Sequence, residues 1–253
     1  MFAGKNKRLR IMAGPNGSGK STILREVRNQ FYCGPFVNAD EIEKLLQEKK
    51  LINLPANYDL KLSEDKFREY MSTYGLSWQK KAKSEGQTAS IRWSNSMLVI
   101  DELPSGYDAA IAADCIRYGL LQNGATFTFE TVLSHASKIN FLEQARQMGY
   151  KNYLYFICTI DPAINIERVR QRVATGGHAV SEEKVQKRYY ESLELLPSIL
   201  PLCHRVFLFD NSTEERSQEA VAEIAPNGSL EIRTKDLPWW VEKYVIQPLY
   251  QYE

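Results

Sequence analysis

The chain is 253 residues long, with 43% hydrophobic and 25% charged residues, a balance that supports one large α/β domain or one domain carrying an insertion. A formal net charge of +1 supplies no global field for a nucleic acid or a membrane surface. Only a few apolar residues follow the basic N-terminus, so no signal peptide is expected, and no apolar run approaches transmembrane length. The cysteines, Cys33, Cys115, Cys158 and Cys203, are scattered without a C-x-x-C pair, as expected of reduced, mostly buried thiols in a cytoplasmic protein.

The first predicted element is a short buried strand, Leu9-Arg10-Ile11-Met12-Ala13. It runs into Gly14-Pro15-Asn16-Gly17-Ser18-Gly19-Lys20-Ser21-Thr22, which fits G-x-x-x-x-G-K-[ST]. A helix to about Asn29 follows, with Ile23, Leu24 and Val27 on its apolar side. Strand, loop and helix together are the context in which this motif has physical meaning. The glycines let backbone N–H groups curl around phosphate oxygens, and the helix turns its positive N-terminal end toward the same anion. In such a loop Lys20 reaches the β- and γ-phosphates and the Ser21 hydroxyl sits on Mg2+, so the stretch predicts a nucleoside-triphosphate site.

Phe36-Val37-Asn38-Ala39 predicts a second strand ending at Asp40, and Glu41 to Lys50 predicts a helix. From about 51 to 107 the pattern is that of an insertion. Ser63 suits the N-cap of a helix reaching the Tyr74-Gly75 region, Lys80 to Gly86 is charged and expected in solvent, and Ser90 to Ile100 fits either strand or helix. A helix then runs from Ser105 or Asp108 to Asn123-Gly124, and Thr126 to Phe129 reads as a strand terminating in Glu130. Another helix runs from about Ser137 to Met148. Tyr153 to Ile160 is the clearest buried strand. Asp161-Pro162 opens a helix through Arg172, Thr175-Gly176-Gly177-His178 is a loop, and Ser181 opens a helix halted by Pro197. Arg205 to Phe209 forms a strand ending at Asp210-Asn211. Beyond about 213 lies a C-terminal extension: a hairpin, Val221–Ile224 with Leu230–Thr234 around Asn227-Gly228, then a helix from Pro238 to Tyr250. Alternating strands and helices predict a P-loop-type three-layer α/β fold, with a mainly parallel sheet between helices.

Ligands of such sheets gather at the carboxyl ends of the strands, where this reading places Asp40, Glu130 and Asp161. Asp40 suits the base or orienting acceptor for an attacking hydroxyl, or else the N-cap of the helix after it. Glu130 suits a substrate hydroxyl, Mg2+ through water, or a structural pair with an arginine. Asp161 before Pro162 is most simply a helix cap. Phosphoryl transfer spreads charge over the γ-oxygens, so cations are needed there. Arg168 and Arg172 share one helix face, and Arg188 on the next helix can face back across the glycine loop. The helix pair reads as a lid that carries arginines over the nucleotide, with a solvated helix bearing pairs such as Glu167–Arg170 as the alternative. His178 could bind phosphate or be incidental. Met97-Leu98-Val99-Ile100-Asp101-Glu102 imitates the hhhhDE strand of transporter-type ATPases, but no LSGGQ-like segment precedes it.

The segments AGPNGSGKST, FVNADEI, TFTFETVLSH, DPAINIERVRQRVATGGHAV, KRYYESLELL and FLFDNS, in that order, resemble the zeta-toxin-like P-loop kinase family over about 8–50 and 108–212. The resemblance implies an ATP- and Mg2+-dependent kinase in which Asp40 is the catalytic aspartate and Glu130 contacts substrate. Arg168 and Arg172 then surround the transferred phosphate; His178 or Arg188 joins them there on the reading of the residues, not on the resemblance. The resemblance further implies a sugar hydroxyl such as that of UDP-N-acetylglucosamine as acceptor, and an antitoxin as protein partner. The chain departs from the toxin branch in having Thr131-Val132 after the glutamate and GGHAV in place of a second lid arginine; the GGHAV segment resembles a wider bacterial branch of kinases. The remaining readings are a nucleotide-operated switch module and a kinase of an RNA end; near-neutral charge argues against the latter, leaving only the lysines at 80–83 as a local basic face.

Overall fold

The computed structural model describes residues 7–177, 179–213 and 220–250. The chain divides into two compact units, one made of Met1–Cys33 with Glu130–Glu253 and the other of Gly34–Phe129. Where the sequence suggests one domain with an insertion at 51–107, that insertion folds together with the elements flanking it.

The first unit opens with β1 (Arg8–Ala13) and α1 (Lys20–Gln30). The second unit then contributes β2 (Phe36–Val37), α2 (Ala39–Lys49), β3 (Leu51–Asn53), α3 (Leu54–Tyr58), α4 (Glu64–Tyr70), α5 (Leu76–Ser84), β4 (Arg92–Ser94), β5 (Met97–Val99) and α6 (Gly106–Gln122). Strand β6 (Phe127–Thr131) crosses the division. The first unit resumes with α7 (Ser137–Gln147), β7 (Lys151–Cys158), α8 (Pro162–Ala174), α9 (Glu182–Ile199), β8 (Arg205–Asp210), β9 (Ala222–Ile224), β10 (Leu230–Ile232), α10 (Trp239–Val241) and α11 (Gln247–Tyr250).

In the first unit, β1 pairs parallel with β7, and β7 parallel with β8. Parallel neighbours need a long crossover, which α8 and α9 supply between β7 and β8. Such strands are covered on both faces and therefore carry continuous apolar runs: Leu9, Ile11, Met12 and Ala13 in β1, and Leu154, Phe156, Ile157 and Cys158 in β7, are all fully buried. The expected C-terminal hairpin is present as β9 and β10, antiparallel to one another, with β9 antiparallel to β8. The final helical segment starts at Trp239, with Pro238 at the cap position just before it, and it places Trp240 wholly in the core. That indole lies 5.7 Å from the Phe156 ring and donates through Nε1 to Oδ2 of buried Asp210 at 2.9 Å.

In the second unit, β2 and β6 form a parallel pair, and β3-β5-β4 form a three-stranded antiparallel sheet. The ambiguous Ser90–Ile100 stretch is a hairpin. Asn95 and Ser96 take positive φ values of 48° and 62°, the paired left-handed conformation that matches a two-residue turn to strand twist. The expected helix from Ser63 forms, capped by the Ser63 hydroxyl on Lys66 N–H. It continues through a π-helical turn, Met71–Gly75, into α5, so the lysines at 80, 81 and 83 lie on a helix whose Ala82 is buried. Long-range anchors hold this run to α6: Tyr70 Oη donates to Ile111 O, Trp78 Nε1 to Asp114 Oδ2 and Tyr118 Oη to Glu69. The hhhhDE imitation belongs to β5 of the small antiparallel sheet, and exposed Asp101 after it is paired with Arg92 at 2.7 Å.

Pro197 does not halt its helix, contrary to expectation: α9 runs to Ile199. A proline this near the end removes one ladder bond, and burial of Leu193, Leu196 and Ile199 outweighs that loss. No helix among the described residues is long and apolar enough to cross a membrane.

Trp240→Ala is expected to destabilise the first unit by about 3–5 kcal/mol, through the cavity it leaves and the donor it takes from Asp210. Chemical denaturation followed by circular dichroism measures this, and Trp240→Phe should recover part of the loss.

Candidate active site

The phosphate loop leaves β1 in the first unit. Gly14 N–H donates to Thr131 O at the end of β6, at 3.3 Å. Lys20, the first residue of α1, is buried, and its ammonium donates to Gly14 O and Pro15 O at 2.9 Å each. Glu130 Oε1 stands 3.6 Å from the same ammonium. Of the roles the sequence leaves open for Glu130, the ion pair it forms is therefore with the loop lysine. No acidic residue occupies the first turn of α1, and no side chain caps it. By contrast, α2 and α9 carry Asp40 and Glu41, and Glu182 and Glu183, at that position. The first turn of α1 thus adds no carboxylate of its own to the positive helix end. Ser18 Oγ and Asn16 Oδ1 are buried beside it and make no hydrogen bond among the described residues. Ser21 is exposed at the second position of the helix. This donor-rich cradle, with Glu130 paired to its lysine, fits a triphosphate.

Helix α8 approaches the loop from the carboxyl end of β7. Asp161 caps it as expected, accepting from Ala163 N–H at 2.8 Å, and Pro162 opens its first turn. Asn165, fully buried, donates through Nδ2 to Asn16 O at 2.7 Å. Its Oδ1 accepts from the Thr159 hydroxyl, and Thr159 O accepts from the Tyr189 phenol of α9 at 2.6 Å. Burial pushes the Tyr189 phenol far above its ordinary pKa, which keeps it a neutral donor. Arg168, one turn beyond Asn165 and half-buried, donates to Asn211 O at 2.8 Å. Asn211 in turn donates through Nδ2 to Ser18 O at 2.8 Å. Arg168 is thereby held beside the phosphate loop through a single intervening residue.

Arg172 follows on the same face. Its carbonyl accepts from Gly177 N–H and the Thr175 hydroxyl, each at 2.9 Å, which folds the glycine loop back over the helix end. Arg170 takes the solvated role foreseen for a helix-face residue: it bonds Glu182 at 2.7 Å and Glu167 at 3.6 Å, and those carboxylates hold its pKa above the usual arginine value. Arg188 is half-buried on α9, and His178 lies outside the described residues. Between α8 and α9 a cleft of about 610 Å³ is lined by Ile166, Val169, Val173, Val180 and Val185, with the Arg170–Glu182 pair among its polar groups.

Asp40 belongs to the second unit. Helix α2 starts at Ala39, two residues before the expected Glu41, and its cap is Asn38, whose Oδ1 accepts from Asp40 N–H at 2.8 Å and Glu41 N–H at 3.4 Å. Asp40 is therefore not the N-cap, and its exposed carboxylate is not committed to capping. Sequence reading missed Asn165 and the double role of Asn211. A polar residue on the buried stripe of an amphipathic helix was the available signal for the first; nothing local marks the second.

No protein-family model matches the chain. An uncharacterised protein of Haemophilus influenzae strain Rd is 35% identical over 63 residues, which is 25% of this chain and 45% of that protein, so less than half of that relative is spanned. Similar solved structures cover far more of the chain. The crystal structure of AvrRxo1-ORF1 with AvrRxo1-ORF2 and sulphate ions matches 95% of this chain and 64% of its own at 16% identity, with a TM-score of 0.54. The same pair with ATP matches 91% of this chain and 61% of its own at 16% identity, with a TM-score of 0.53. A candidate kinase from Chloroflexus aurantiacus J-10-fl matches 84% of this chain and 92% of its own at 13% identity, with a TM-score of 0.50. The chain shares with these proteins a mixed α/β fold whose mainly parallel sheet is flanked by helices.

Arg170→Ala is expected to leave phosphate-site function and melting temperature unchanged, because an exposed pair of this kind contributes little. Arg168→Ala should weaken nucleotide-dependent activity strongly. Parallel assays of the two variants separate the helix face beside the loop from the face in solvent.

Proposed function

We propose that the chain is a P-loop kinase that transfers the γ-phosphate of ATP to a hydroxyl group of a small molecule, a nucleotide sugar such as UDP-N-acetylglucosamine being the leading candidate acceptor. The observation that carries this reading is Lys20, buried against the loop carbonyls and Glu130, with Arg168 tied to the same loop through Asn211. A cation inside the loop and a second one beside it are what a transferring phosphoryl group requires. The resemblance to zeta-toxin-like kinases over about 8–50 and 108–212 supports the acceptor class. The likeness of fold to a protein solved with ATP supports the nucleotide.

In this reading Gly14, Pro15, Asn16, Gly17, Ser18 and Gly19 cradle the triphosphate, with Thr22 completing the motif on α1. Lys20 exchanges its loop carbonyls and Glu130 for phosphate oxygens. Released from that pair, Glu130 holds the acceptor. Asp40 takes or orients the proton of the acceptor hydroxyl. Arg168 and Arg172 neutralise charge on the γ-oxygens, and His178 and Arg188 contact phosphate or acceptor from the lid side. Mg2+ would rest on Ser21, exposed at the second position of α1, and on the phosphates themselves. Bound there, it would neutralise the charge of the β- and γ-oxygens. The AvrRxo1-ORF1 structures contain a second protein, AvrRxo1-ORF2, which supports looking for a protein partner of this chain; the zeta-toxin-like resemblance is what suggests an antitoxin-like one, in the cytoplasm. A transporter-type ATPase is disfavoured, because the hhhhDE imitation lies in the small antiparallel sheet.

The test is ATP consumption and product mass with UDP-N-acetylglucosamine as single acceptor. Lys20→Ala should abolish transfer. Asp40→Asn should bind ATP like the parent and lose turnover by at least about a hundredfold, within the range general-base catalysis contributes. Equal turnover of Asp40→Asn and parent would remove Asp40 from the role of base.

A further inference from the structure

The phosphate loop is shaped by two side-chain amides that lie outside its motif. Asn165 donates to Asn16 O at 2.7 Å, and Asn211 donates to Ser18 O at 2.8 Å. Each carbonyl shares a peptide plane with the next residue's N–H, and no cis peptide occurs among the described residues. A planar trans peptide points its C=O and N–H to opposite sides, so fixing the oxygen also aims the hydrogen. Asn165 thereby sets the Gly17 N–H, and Asn211 sets the Gly19 N–H. Neither N–H has a hydrogen-bond partner among the described residues. They are alternate donors of the loop, each pointed away from the amide that holds its plane.

The glycines make room for these two residues, Gly17 for the main chain of Asn165 and Gly19 for the side-chain amide of Asn211. Gly17 has φ 76°, and a Cβ there would stand 2.5 Å from Asn165 O; Gly19 has φ 94°, and a Cβ would stand 2.1 Å from Asn211 Nδ2. Close approach of the brackets requires glycine as much as the turn does. Asn211 also uses its other polar groups: its N–H donates to Cys158 O at 2.8 Å and its carbonyl accepts from Arg168 at 2.8 Å. Asn165 is tied through Thr159 to Tyr189 on α9. One amide thus connects the loop to the helix pair, and the other connects it to the junction of β7, β8 and Arg168.

We infer that Asn165 and Asn211 are positioning residues for the triphosphate, acting by orienting the Gly17 and Gly19 N–H donors; this rests on the reading of the loop as a nucleotide site. An oxyanion gains only from donors already aimed at it, because a donor that must reorient on binding loses part of the interaction.

Calorimetry with ATP and with inorganic tripolyphosphate on the full chain tests this, alongside nucleotide-free melting. Asn165→Ala and Asn211→Ala should each weaken binding of both probes about tenfold, the equivalent of one charge-assisted hydrogen bond. Asn211→Asp is the decisive variant. Ionised, it sets a carboxylate oxygen against Ser18 O and should bind more weakly than Asn211→Ala at pH 7.5. Protonated, it can donate as the amide does, so its affinity relative to the parent at the same pH should rise as pH falls toward 5. That ratio is read within one folded variant, so it decides the matter even if Asn211→Ala fails to fold. Folded alanine variants that bind both probes within twofold of the parent would overturn the inference, as would an Asn211→Asp ratio independent of pH. A parent that binds neither probe removes the nucleotide site itself, a separate result.

Discussion

The first unit depends on how a loop can turn its N–H groups toward an anion while its carbonyls remain satisfied. Every backbone carbonyl turned inward needs a donor. Here Gly14 O and Pro15 O take the ammonium of Lys20, Asn16 O takes Asn165, and Ser18 O takes Asn211. The loop is therefore held by carbonyl partners drawn from α1, α8 and the end of β8, and a ligand need only meet the remaining donors. The buried strands β1, β7 and β8 exist, in this sense, to bring two distant donors, Asn165 and Asn211, to the turn that Lys20 closes locally. Trp240 contributes from the far end of the chain by holding Asp210, the residue before Asn211, in the core.

Charge follows from this arrangement. Lys20 is buried among carbonyls and one carboxylate, so its charge is held out of water, where its interactions are screened least. Arg168 is fixed by a backbone oxygen and Arg170 is drawn off by Glu167 and Glu182, so neighbouring positions of one helix separate into a site-facing and a solvent-facing cation. Spacing along a helix sets which arginines share a face, and the partners decide which of them are available to a ligand.

Much of this was legible because the deciding forces are local. The strand, glycine loop and helix around 9–29 follow from periodicity and glycine placement; Asp161 before Pro162 states its cap; and the hairpin around Asn227-Gly228 follows from its turn residues. Elsewhere the deciding partner is remote in sequence. The run from Glu64 to Ser84 is helical through its charged end because Trp78, Tyr70 and Glu69 engage α6, which no local pattern reveals. Pro197 is tolerated for the apolar residues around it, and the cap of α2 falls to Asn38 because the chain turns helical at Ala39, two residues before the expected Glu41. Asn165 and Asn211 matter through carbonyls about 150 and 190 positions away in sequence, a relation only the folded chain displays.

The central claim is that this loop and its cations serve transfer of phosphate to a small hydroxyl compound. Incubation of the full chain with γ-labelled ATP, Mg2+ and a bacterial metabolite extract, followed by mass spectrometry, tests it most directly. The account predicts a compound that gains the mass and label of one phosphate with the parent and not with Lys20→Ala. ATP bound or hydrolysed with label appearing only in free phosphate, across the whole extract, would contradict it.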